Sequence, residues 1–141
     1  VFFRGYLMQG VGLLAKNKIV PLVVITLIFA AVHLGNPEFG SISILVGVTA
    51  YLSLSLLFGL TTVLDDGIEI AAGIHAANNL FLVLILSPTD GSFTTYSIFT
   101  SRLAELMRFS PWLDIATAVL GFVIMVVSGF VRRSPYRPRY V

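Results

Sequence analysis

Four stretches of this chain contain no Asp, Glu, Lys or Arg: Ile19 to Pro37, Phe39 to Leu64, Ile70 to Thr89 and Ile115 to Val131. A helix that crosses a bilayer needs about 20 mostly apolar residues, with about 17 as the lower limit. All four stretches reach that length, so the pattern predicts membrane-spanning helices. Charged residues make up 11% of the 141 residues and hydrophobic ones 57%. A soluble domain carries roughly 25% charged residues, so this chain has less than half the usual means of facing water. The expected fold class is all-α, a polytopic transmembrane helical bundle of about five helices with the first one incomplete.

Taken in order, Val1 to Ala15 reads as the remaining part of a helix, with Arg4 set among Phe2, Phe3, Tyr6 and Leu7. Lys16-Asn17-Lys18 is a basic turn. A second helix runs from Ile19 to His33, with Pro21 tolerated in its first turn. The turn formers Gly35-Asn36-Pro37-Glu38-Phe39-Gly40 end it. A third helix covers Ser41 to Leu64 and is broken by Asp65-Asp66-Gly67. A fourth, Ile68 to Leu86, stops at Ser87-Pro88. Thr89 to Ser110 is a polar interlude whose second half, Ser101 to Phe109, has the spacing of a short interfacial helix or a solvated loop helix. The fifth helix, Pro111 to Val131, opens with Trp112 as an interfacial anchor. The chain opens on Val1 inside an apolar segment, which predicts further residues before it. No internal repeat or separate soluble domain is visible, so residues 1–131 form one unit and 132–141 a basic tail.

With no cysteine, disulfides and thiolate zinc sites are excluded. The pI near 9.2 does not point to nucleic acid, because the basic residues sit in loops and the tail, where topology accounts for them. With five alternating helices, Lys16, Lys18, Arg132, Arg133, Arg137 and Arg139 share one side, against Arg102 and Arg108 on the other. The positive-inside rule then puts the C-terminus in the cytoplasm, and the lipid bilayer is the expected partner.

Polar groups at membrane depth are candidates for function. The only two histidines are His33, at the end of the second apolar helix, and His75, inside the fourth. His75 and Asn79 stand four residues apart and share one helix face; Phe29 and His33 do the same. Each has a bland alternative: a histidine bonded to a loop carbonyl, or a polar contact between packed helices. Arg4 needs either an acidic partner or a helix end from which to snorkel. Glu38 follows Pro37 in a turn, where a capping or solvated role is expected. Ser53 and Ser55 read as helix-packing hydroxyls, outside any Gly-x-Ser-x-Gly elbow. Asp65, Asp66 and Glu69 read as a solvated face at the membrane boundary. Two imidazoles and an amide can orient water, donate to an oxyanion and move protons. They lack a strong base.

Val1-Phe2-Phe3-Arg4, Phe29-Ala-Ala-Val-His33 and His75-Ala-Ala-Asn-Asn79 resemble, in order and spacing, the three motifs of the CPBP intramembrane endopeptidases. These are also called type II CAAX prenyl proteases and bacteriocin-processing or immunity proteins. The motifs are Glu-Glu-x-x-x-Arg, Phe-x-x-x-His and His-x-x-x-Asn, and the likeness covers residues 1 to about 86. The resemblance implies an intramembrane endopeptidase acting on a membrane-associated or lipid-modified, CAAX-type protein, with a peptide or prenylated substrate. It implies that two glutamates precede Val1, the first activating water and one pairing with Arg4. His33 would assist the water, His75 and Asn79 would stabilise the oxyanion, and Phe29 and Arg4 would support them. His33 and His75 with a glutamate could also ligate zinc. A metal-free route is favoured, because an asparagine paired with a histidine suits oxyanion donation. The alternatives are a non-catalytic immunity or scaffold protein of the same fold and, with less support, a transporter using the histidines as relays.

Overall fold

The computed structural model describes residues 1–92, 95–106 and 123. The predicted fifth helix, the tail and the end of the interlude lie outside the described residues.

The chain opens with a π-helical stretch, Phe2–Leu7, that continues directly into α1, Met8–Ala15. Lys16 then adopts a left-handed conformation (φ 54°) and closes α1. Asn17 ties both ends of the turn: its Nδ2 donates to the Ala15 carbonyl at 3.0 Å and its Oδ1 accepts from the Val20 amide at 2.8 Å. Helix α2 runs Ile19–His33, with Pro21 in its first turn, where a missing N–H costs nothing. A 3-10 helix, Pro37–Gly40, leads to α3, Ile44–Asp65, which Ser43 caps by accepting from the Val46 amide. Asp66, also left-handed (φ 55°), ends α3. Helix α4 covers Glu69–Leu84.

Two short strands, β1 (Leu86–Pro88) and β2 (Phe99–Ser101), pair in parallel with Leu86 opposite Phe99. The fold is therefore mostly helical rather than all-α. The ribbon also explains why α4 stops earlier than the apolar run does. The Leu84 carbonyl accepts from the Ile98 amide at 3.1 Å, and that of Ile85 from Phe99 at 2.8 Å. Carbonyls that a longer helix would use are taken by the returning chain. After β2, residues 103–106 form a helical turn, the described part of the expected interfacial helix. It is joined to the loop before it by the Leu103 amide, which donates to Asp90 at 2.7 Å.

Among the described residues, one helix is long and apolar enough to cross a membrane, α3 with 22 residues. Helices α2 and α4 have 15 and 16 residues. Counting charge-free residues overestimates helix length, because neutral turn formers such as Gly35, Asn36, Ser87 and Pro88 extend the run without extending the helix. The core is where α2, α3 and α4 meet: Ile25, Phe29, Ala30, Phe58 and Ala71 are buried, with Thr26, Ser55 and Thr61 beside them. Outside it, Val20, Val23, Leu27, Val32, Ile44, Leu45, Leu80 and Leu84 are exposed.

Candidate active site

The three motif segments converge on one face of α3. On that face Gly47, Tyr51, Ser55 and Gly59 recur every fourth residue, with Phe58 alongside. Between them they take up Phe39, the His33 ring, the His75 ring and Arg4.

Arg4 reaches the lower part of this row. It is 7% exposed, so it does not snorkel. Its Nη2 donates to the Ser55 carbonyl and to Ser55 Oγ, the latter at 2.6 Å. The partner is thus a serine rather than the carboxylate that the buried charge suggested. Gly59 makes the approach possible: a Cβ there would lie 3.0 Å from Arg4 Nη1 and would run into Leu22 Cδ1. Arg4 Nη1 is buried and has no hydrogen-bond partner among the described residues. A buried guanidinium N–H left unpaired costs free energy, so this atom is the open valence of the site.

Phe29 joins the two histidines. Its ring lies 4.3 Å from that of His33 and 6.5 Å, edge-on, from that of His75, with Phe3 at 5.6 Å on another side. His33, half-buried at the last position of α2, contacts the Phe29 carbonyl through Nδ1 at 2.6 Å. A carbonyl only accepts, so Nδ1 carries a proton, and in the neutral ring Nε2 then keeps its lone pair. That tautomer can take a proton from water. The loop-carbonyl alternative for His33 is replaced by a bond within its own helix, one turn back.

His75 is half-buried on α4 and stacks on Phe58 at 5.0 Å. It makes ring contacts only, and its nitrogens have no hydrogen bond among the described residues. Asn79 stands one turn further along α4, also half-buried, and its amide likewise has no partner among the described residues. No three His, Cys, Asp or Glu side chains come together among the described residues in a way that could hold a metal ion.

Two features were missed by reading the sequence. Tyr51 packs on His33 with ring centroids 4.5 Å apart. Glu38 is neither a cap nor merely solvated: its Oε1 accepts from Tyr51 OH at 3.3 Å and its Oε2 from Ser92 Oγ at 2.7 Å. The available signal was the four-residue recurrence of polar and small residues along an otherwise apolar α3.

The family described as type II CAAX prenyl endopeptidase, Rce1-like, matches residues 1–81, which include Arg4, Phe29, His33, His75 and Asn79. The chain belongs to this family, whose members are integral membrane proteins. It is also similar to the uncharacterized protein YyaK of Bacillus subtilis (strain 168), 34% identical over 93 residues. That match takes in 66% of this chain and 31% of YyaK, so the chain spans about a third of the length of that relative. No solved structure matches the chain.

Proposed function

We propose that this chain carries the catalytic half of an intramembrane endopeptidase that hydrolyses a peptide bond in a membrane-associated, lipid-modified protein of the CAAX type. The observation that carries the reading is the convergence of all three motif segments on one face of α3, where the polar atoms of His75 and Asn79 make no hydrogen bond among the described residues. Family membership supports the reaction class.

In this reading, a glutamate from the residues preceding Val1 takes a proton from water while His33 Nε2 accepts a hydrogen bond from the same water. The hydroxide oxygen attacks the scissile carbonyl carbon, and the carbonyl π electrons move to oxygen. Asn79 Nδ2–H and the N–H of His75 donate to that oxyanion. Collapse of the tetrahedral intermediate breaks the C–N bond, and the protonated glutamate returns its proton to the leaving amine. A second carboxylate one turn before Arg4 would occupy the open Nη1 and hold the first motif against α3.

The membrane setting belongs to the same proposal. Helix α2 is apolar all round, yet Val20, Val23, Leu27 and Val32 are exposed. A helix of that kind suits lipid contact better than water. The reading is of a polytopic bundle, residues 1–131, with residues 132–141 as a basic cytoplasmic tail.

The test uses the full-length product of the gene in proteoliposomes with a fluorogenic prenylated peptide. His75→Ala and Asn79→Ala are each expected to lower kcat on the order of 10²–10³-fold, the usual cost of one oxyanion donor, while membrane insertion persists. Full hydrolysis by both variants would leave the non-catalytic scaffold as the better reading.

A further inference from the structure

Tyr51 is held by two ring contacts and two hydrogen bonds beside His33, and nothing in the three motifs accounts for it. Its ring lies between that of His33 at 4.5 Å and that of Phe39, stacked at 6.0 Å. Gly47, one turn before it on α3, lets Phe39 in: a Cβ there would stand 2.5 Å from Phe39 Cε1. Its hydroxyl is used at both ends. It accepts from Asn36 Nδ2 at 2.9 Å and donates to Glu38 Oε1 at 3.3 Å. Asn36 and Glu38 lie in the segment that leaves α2 directly after His33. Glu38 is held in turn by Ser92 Oγ, in the loop beyond β1.

The consequence concerns His33. It is the last residue of α2, where helix ends fray and side-chain orientation is least constrained by the backbone. The Nδ1 contact to Phe29 survives only if the ring stays turned back over its own helix. Tyr51 supplies that constraint, through its ring on one side and through the two polar residues that fix the exit from α2. From this geometry we infer that Tyr51, acting through Asn36 and Glu38, is a positioning residue that locks the His33 ring in its Nδ1-protonated tautomer. The benefit to catalysis rests on the protease reading above; the locking itself does not.

The experiment combines a spectroscopic and a kinetic readout on full-length protein. Imidazole ¹⁵N shifts are recorded in detergent micelles, with the His33 signals assigned by loss in His33→Gln. The native protein should show one protonated and one unprotonated nitrogen. Tyr51→Phe, which keeps the ring and removes the hydroxyl, should move both signals toward the averaged position of exchanging tautomers. In the peptide assay it should lower kcat about tenfold with KM within about twofold. Glu38→Gln should behave alike, and the double variant should be no worse than either, as expected of one shared network. Unchanged His33 shifts in Tyr51→Phe would overturn the inference, as would additive losses in the double variant. Were the native protein to cleave nothing, the protease reading would fail and the ¹⁵N shifts alone would decide the role of Tyr51.

Discussion

At the scale of the residue, the site depends on two atoms that are absent rather than present: the Cβ atoms of Gly47 and Gly59. Both glycines are helical, so their value is space, not conformational freedom. Gly59→Ala would press a methyl against Arg4 Nη1 and Leu22. Overpacking of this kind costs about 1–3 kcal/mol, and the unfolding midpoint in detergent should fall accordingly. Gly10→Ala is the matched control on α1: a Cβ there meets nothing within 4 Å, so that variant should be neutral or gain about 0.5–1 kcal/mol from helix propensity. Equal losses in the two variants would remove the special role of Gly59. The motif residues themselves were legible. The cost of polar groups on apolar helices marked Arg4, His33, His75 and Asn79 as candidates, and the resemblance to the family's motifs added Phe29 and the role of each. The partners of Arg4 were not legible, since a serine fifty-one residues away is invisible to any local pattern.

Among the elements, α3 organises the rest and the ribbon trims it. The loop between β1 and β2 is tied down at Asp90, whose carboxyl is held below the usual carboxylate range. The causes are chiefly the Leu103 amide and then the Ser41 side chain. A depressed carboxyl pKa contributes stability that is fully present above its unfolded value, near about 4, and is lost as pH falls through the folded value. Hydrogen exchange at the Leu103 amide should therefore show protection at pH 5 that declines below about pH 4. Asp90→Asn should flatten that dependence. Protection that stays constant down to pH 2 would show that the contact does not hold the loop. Helix ends followed the sequence closely at Asn17 and Asp66, whereas α3 starts at Ile44 under the Ser43 cap rather than at the expected Ser41. They departed at the end of α4, where a returning strand, not a local stop signal, took the last carbonyls.

For the whole molecule, the distribution of charge and the lengths of the helices bear on how the proposed site would meet water. At 1.5 Å per residue, the 15 residues of α2 reach about 22 Å, short of the roughly 30 Å hydrocarbon core. Helix α2 ends at His33 and gives way at once to Gly35, Asn36 and the 3-10 helix. A histidine so placed meets polar loop residues on one side and apolar helix on the other, which would suit the proposed role of handling water. The six basic residues assigned to one side predict a cytoplasmic C-terminus. A fluorescent-protein fusion there should glow, and an alkaline phosphatase fusion should stay inactive; the opposite pair of results would invert the topology.

The sequence by itself determined that the chain is mostly helical and where it turns, and through its resemblance to the family it named the candidate motif residues. Each of these is local: charge-free length, turn chemistry and four-residue spacing are written in neighbouring positions. Only the tertiary structure decided which face of α3 turns inward, and with it the roles of Tyr51, Ser55, Gly59 and Glu38. The physical reason lies in the composition of α3. Apolar residues surround it almost evenly, so no hydrophobic contrast marks an inner face, and the choice falls to packing between segments far apart in the chain.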